Sequence, residues 1–164
     1  MPQFKNLAIS LVGAAIFIIA LKTAPSHAQI AEHFSAVHGV ALSVIAIGLI
    51  VGRHPGYRLA GIGCAMNALV VLLNGAMPVE LSSLMKIGDG RAIALISEGR
   101  TLTHTIAGTD TRLRWLCDRI AFSSPVTTPR VMSAGDVFIA AGLFIFTASA
   151  VSFIFRRSDH YDMD

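Results

Sequence analysis

The stretch Ser133-Ala134-Gly135-Asp136-Val137-Phe138-Ile139-Ala140-Ala141-Gly142-Leu143-Phe144-Ile145-Phe146, apolar onward to Phe155, decides how the chain must be read. A single carboxylate, Asp136, interrupts a run long enough to cross a bilayer, which takes about 17–25 residues at about 1.5 Å of rise each. Hydrocarbon offers no partners for backbone N–H and C=O groups, so such a run is helical unless strands close into a barrel. The strict alternation that barrel strands need is missing here.

Three more runs of this kind lie upstream. Phe4 to Ala24 has an unbroken apolar heart from Leu7 to Leu21, Phe34 to Gly52 contains His38 as its one ionisable group, and Leu59 to Gly75 carries Asn67 and Asn74. The pattern predicts an all-α fold in a single membrane domain, residues 1–164. It is an integral membrane bundle of four transmembrane helices at about 4–24, 34–52, 59–75 and 133–155, with a partly helical outer loop at 76–132. Composition agrees: of 164 residues 54% are hydrophobic and 14% charged, with a mean hydropathy of +0.65, where a soluble domain carries about 25% charged residues. A disordered tail, a basic nucleic-acid module and most soluble enzymes are excluded, and the lipid bilayer is the expected partner. The net charge of +3 is spread over loops and ends rather than clustered for nucleic acid.

Lys5, the first apolar run and Ser26-His27-Ala28 before Gln29 also fit a cleavable signal peptide, but Pro25 and His27 sit awkwardly at such a site, and a retained helix is expected. Lys5, Arg53, Arg58, Arg156 and Arg157 fall on one side of four spans, which places both termini in the cytoplasm of a bacterial inner membrane. Within the outer loop, Glu80 to Lys86 and Arg91 to Glu98 read as short helices separated by the turn Gly88-Asp89-Gly90. Arg112 to Phe122 reads as a third helix, with Trp115 suited to the headgroup layer, and Ser123 through Pro129 as an extended link.

Asp136 is the leading candidate for chemistry, because a carboxylate inside an apolar span is costly. The plain alternative is a helix-capping aspartate near the interface. Asp118, in Leu116-Cys117-Asp118-Arg119-Ile120, is its best partner, since the prolines between them let the chain fold back. Two close carboxylates share one proton, and that asymmetry lets one activate water while the other polarises a carbonyl. Asn67, Asn74, Ser133 and Arg119 are the supporting polar residues, Asn67 and Asn74 lying near one helical face seven positions apart.

Met132-Ser133-Ala134-Gly135-Asp136 through Gly142, with Leu116-Cys117-Asp118-Arg119-Ile120, resembles the paired aspartate motifs of lipoprotein signal peptidases (signal peptidase II), with Ser133 where that family has Asn. The resemblance implies an intramembrane aspartic dyad, Asp118 and Asp136, at the outer face of four helices. A closer resemblance, in Asn67-Ala68-Leu69-Val70-Val71-Leu72-Leu73-Asn74-Gly75-Ala76-Met77-Pro78-Val79, Leu116-Cys117-Asp118 and Ser133-Ala134-Gly135-Asp136, is to an uncharacterised bacterial membrane family with N-G-G-x-M-P-V and S-x-G-D motifs.

Two readings of function follow. One is an aspartic peptidase-like enzyme acting on a membrane-anchored peptide; the other is a non-catalytic subunit or scaffold for a partner membrane protein. No cofactor or metal is expected: Cys64 and Cys117 have no metal-ligand spacing, and His33 and His38 are poorly spaced for haem and read as interfacial. A Cys117 nucleophile with His104 as base is a minor alternative. Gly48-x-x-x-Gly52 reads as a close-packing signature.

Overall fold

The computed structural model of the chain describes residues 2–24 and 33–161. Four longer helices, α1 (Pro2–Thr23), α2 (Phe34–Ile50), α3 (Pro55–Asn74) and α6 (Ala134–Tyr161), lie where the apolar runs place them. Neighbours pack antiparallel in the order α1–α2–α3–α6: Gly13 meets Ala41 and Ile45, Gly61 meets Ala46 and Ile50, and Gly56 and Gly63 meet Gly142 and Gly135. The alternative cleavage site, Ser26-His27-Ala28, lies outside the described residues.

The boundaries of α3 show how local chemistry sets them. His54 caps its start by accepting from Gly56 N–H at 3.1 Å, with Pro55 at the first helical position. At the other end Gly75 turns left-handed at φ 80° and its N–H bonds back to Val71 O, as the Asn74-Gly75 exit predicts.

The all-α bundle of four spans is not what the chain forms. Among the described residues two helices are long and apolar enough to cross a membrane, Pro55–Asn74 and Ala134–Ser152. Within the described side chains, the apolar stretches Leu7–Thr23 of α1 and Phe34–Ile50 of α2 are shorter. At about 1.5 Å per residue, the 17 residues of α2 reach about 25 Å, short of a hydrocarbon core of about 30 Å. Gly52, which the sequence places in a close-packing pair with Gly48, lies instead beyond the helix end, in the bend before α3.

The second correction is β structure in the segment between α3 and α6. Its elements are β1 (Met77–Val79), α4 (Leu81–Ile87), α5 (Gly90–Ser97), β2 (His104–Ile106), a 3-10 turn (Arg114–Leu116), β3 (Ile120–Ser124) and β4 (Thr127–Met132). The two short helices and the Gly88 turn (φ 72°) match the sequence pattern. The third predicted helix does not form: Leu113 is left-handed at φ 52°, and the chain from Cys117 runs extended into β3. Ser123 to Pro129 is the end of a β-hairpin rather than a free link, with Ser124 paired to Thr127 around Pro125-Val126.

β1 organises this cap. It pairs in parallel with β2, Met77 opposite His104, and on its other edge makes a single parallel bridge from Val79 to Asp118. Asp118 N–H donates to Pro78 O at 3.0 Å, and Glu80 N–H to Asp118 O at 2.8 Å. Met77, Leu116 and Cys117 then pack on Val70 and Val71 of α3, so the cap and the helical layer share one core.

Candidate active site

Residues paired across strands point to the same side of a sheet. Met77, Val79, His104 and Asp118 are therefore on one face of the β1 array, turned toward the helix ends. The N-terminus of α6 approaches from below. Ser133 Oγ accepts from Asp136 N–H at 2.9 Å, and Asp136 Oδ2 accepts from Ser133 N–H at 3.0 Å, a reciprocal capping box. Asn67 of α3 completes the network, its Nδ2 donating to Asp136 Oδ1 at 2.8 Å while its Oδ1 accepts from Ser133 Oγ at 2.9 Å. Asp136 Oδ1 is an acceptor, so a flipped Asn67 amide would set oxygen against oxygen there; the amide has one orientation that donates to Asp136 and accepts from the Ser133 hydroxyl. Gly135 is what permits the approach: a Cβ there would overlap Asn67 Oδ1 and lie 2.6 Å from Gly63 O.

Asp118 and Asp136 line one cavity of about 360 Å³, with Asn67, His104, His38 and Phe17 among its walls. The two carboxyls differ in surroundings. Both oxygens of Asp136 accept hydrogen bonds from N–H groups, the pattern of an ionised carboxylate. Asp118 is 6% exposed, and its buried Oδ1 has no hydrogen-bond partner. Its other oxygen, Oδ2, is 3.7 Å from His104 Nε2, beyond hydrogen-bond reach. Burial, reinforced by the charge of Asp136, pushes the Asp118 carboxyl up to about 7. Burial also pulls the His104 imidazole below its ordinary value, against the attraction of Asp136. His104 Nδ1 lies 2.7 Å from Thr103 Oγ1, which fixes the ring beside Asp118.

The remaining sequence candidates fall elsewhere. Asn74 is a clamp on the cap, donating to Val70 O at 2.8 Å and Arg112 O at 3.0 Å and accepting from Arg112 N–H at 2.8 Å. Asn74→Ala should cost about 1–2 kcal/mol, since exposed bonds recover partly in water, and speed proteolysis near Arg112 while Asp118 keeps its raised pKa. Arg119 lines a separate surface cavity with Glu80, Lys86 and Trp115. It belongs to the site only through its backbone, bonded to Met132 O and Ser83 Oγ. The Cys117 thiol is buried among Val70, Val71 and Leu116, donates to Arg114 O at 2.8 Å and is shifted up by burial, so no activated thiolate stands there. Among the described residues no three His, Cys, Asp or Glu side chains converge to hold a metal ion.

His104, named from the sequence only as a base for Cys117, and His38 are the residues whose place beside the aspartates the sequence reading does not foresee. Thr101-Leu102-Thr103-His104-Thr105-Ile106, rich in β-branched residues, carries a strand signal that would have placed His104 on a sheet face. His38, which the sequence suggests as an interfacial or capping residue, stands at the site instead. Its ring packs 4.7 Å from that of Phe17 and its Nδ1 is buried without a partner, at the wall of the aspartate cavity.

A family model described as a family of unknown function (DUF5317) matches residues 3–148. The chain belongs to that family. The match spans α1, α2 and α3, the whole cap and the start of α6, so every residue of the cavity lies inside it. No curated protein and no solved structure matches the chain.

Proposed function

We infer that this chain is a membrane-bound aspartic-type hydrolase that cuts a membrane-anchored peptide beside the bilayer surface. The observation that carries the reading is the unequal pair of carboxyls on one cavity, Asp136 wholly hydrogen-bonded and Asp118 buried with a bare oxygen. Water attacks the scissile carbonyl carbon as its proton passes to Asp136, while protonated Asp118 gives its proton to the carbonyl oxygen. On collapse the C–N bond breaks, the amine leaves with the proton held on Asp136, and Asp118 recovers its proton from the tetrahedral hydroxyl. The separate likeness of the aspartate motifs to those of lipoprotein signal peptidases points to the same chemistry.

The setting is a bacterial inner membrane crossed by α3 and α6. The exposed apolar side chains of α6, among them Phe138, Leu143 and Phe144, suit lipid rather than water. Arg53 and Arg58 by the start of α3, and Arg156 and Arg157 late in α6, put those ends in the cytoplasm and the cap outside. With α1 and α2 folded back antiparallel, the amino terminus falls on the cytoplasmic side as well.

The test is hydrolysis of a panel of lipid- or helix-anchored peptides by the purified protein. Asp118→Asn and Asp136→Asn should each lower kcat/KM at least a thousandfold, and wild-type activity should fall as pH rises through about 7, where Asp118 loses its proton. Full turnover by Asp118→Asn would overturn the reading. The Ser133–Asp136–Asn67 capping network favours a second one, a non-catalytic scaffold in which Asp136 only holds α6 to α3. In that case Asp136→Asn would lose assembly with a partner membrane protein and Asp118→Asn would be silent.

A further inference from the structure

A second chamber opens on the other side of Asp118. It has a volume of about 270 Å³ and mostly aliphatic walls from Val79, Leu84, Ile87, Ala92, Leu95 and Ile96. Asp118 and His104 line both this chamber and the aspartate cavity, so they form the partition between the two. The chamber is built by local chemistry. Gly88 stops α4, Asp89 starts α5 by accepting from Ala92 N–H at 2.8 Å, and the spacing of Ala92, Leu95 and Ile96 turns one side of α5 inward.

We propose that this chamber receives one bulky, uncharged side chain of the substrate, next to the bond that is cut; this rests on the hydrolase reading. Three observations converge on that occupant. Most of the lining is apolar, and the charged residues in it besides the partition pair, Asp89 and Arg130, are opposite in sign and exposed, Asp89 already capping α5, so a charged side chain would find no buried counter-charge among them. The size is right for one residue: water takes about 30 Å³ in the liquid, so the chamber holds on the order of nine such groups, a leucine or phenylalanine side chain with its peptide link but not a full lipid chain. Asp118 Oδ1, buried and unpartnered at the partition, is a hydrogen-bonding group that a peptide N–H or carbonyl arriving with that side chain would satisfy.

The experiment uses the full-length protein in micelles and follows the His104 imidazole by NMR, its signal assigned by His104→Gln. N-acetyl-leucinamide, N-acetyl-glycinamide and N-acetyl-lysinamide are the probes. The leucine amide should shift His104 saturably and bind at least tenfold more tightly than the other two, and Ala92→Phe, which fills the chamber, should weaken it at least tenfold. Should that variant not fold, Ile96→Ala enlarges the chamber and should move the preference from the leucine amide to N-acetyl-phenylalaninamide. Equal binding of the three amides, or a preference unmoved by the foldable variant, overturns the proposal. The two readings fail separately: selective binding without turnover of any peptide sinks the hydrolase alone, and turnover indifferent to the neighbouring residue sinks the chamber alone.

Discussion

Asp118→Asn should be more stable than the wild-type chain at pH 8, by about 4 kcal/mol, and nearly equal to it at pH 4. The carboxyl sits at about 7 in the folded protein against an ordinary 3.8, raised by burial first and by the charge of Asp136 second. A gap of about three units is worth about 4 kcal/mol at about 1.36 kcal/mol per unit. The sign follows from proton counting. Between pH 4 and pH 7 the folded chain holds a proton that the unfolded chain has released, so wild-type stability declines as pH rises through that window and levels off above it. Asparagine is nearly isosteric and does not titrate, so its curve stays flat there. Little is lost in exchange, because no hydrogen bond holds the Asp118 side chain and its Oδ1 is already unpartnered. Unfolding in mixed micelles, followed by circular dichroism at several pH values, measures the effect. Parallel curves for the two proteins would show that Asp118 is not strained by its site. A residue whose removal stabilises the fold and abolishes turnover is held there for chemistry rather than for packing.

Gly135→Ala should destabilise by about 2–3 kcal/mol, although alanine is the better helix former by about 1 kcal/mol. The added methyl would overlap Asn67 Oδ1 and come within 2.6 Å of Gly63 O, which is backbone and cannot rotate aside. Overpacking of this kind costs about 1–3 kcal/mol, and displacing Asn67 also breaks its bonds to Asp136 and Ser133. The loss therefore exceeds the propensity gain. Gly90→Ala is the control: a Cβ there meets nothing within 4 Å, so that variant should be neutral or slightly more stable. Thermal unfolding of both variants in one detergent decides the matter, and a Gly135→Ala protein as stable as the wild type would mean that α3 and α6 can separate without cost.

Part of the site is legible in the local sequence. Ser133 and Asp136 act through one helical turn, where spacing decides which atoms meet, whereas Gly135 acts through its contacts with Asn67 and Gly63 of α3. Helix positions were legible for a similar reason, because long apolar runs have one way to satisfy their backbone. Helix length was not, since Gly52 and the turn before Pro55 shorten α2 without altering its apolar pattern. The cap was least legible. Its strands are three to six residues long, too short to display a period, and Leu113 adopts a left-handed backbone that an unremarkable helical spacing conceals.

Sequence by itself determined what depends on near neighbours: the positions of the apolar helices, the Gly75 exit and a capping aspartate at the start of α6. Only the tertiary structure decided what depends on distant ones. Asp118 meets the cavity because β1 bridges to it across 39 positions, from Val79, and His104 joins it because β1 pairs with β2 across 27, from Met77. Three-residue strands gain stability only when both partners and the core beneath them are present, so no local stretch of sequence contains the information that sets them. Asn74 and Arg119 show the converse, since residue type marked both as site candidates and the fold turned their side chains to other work.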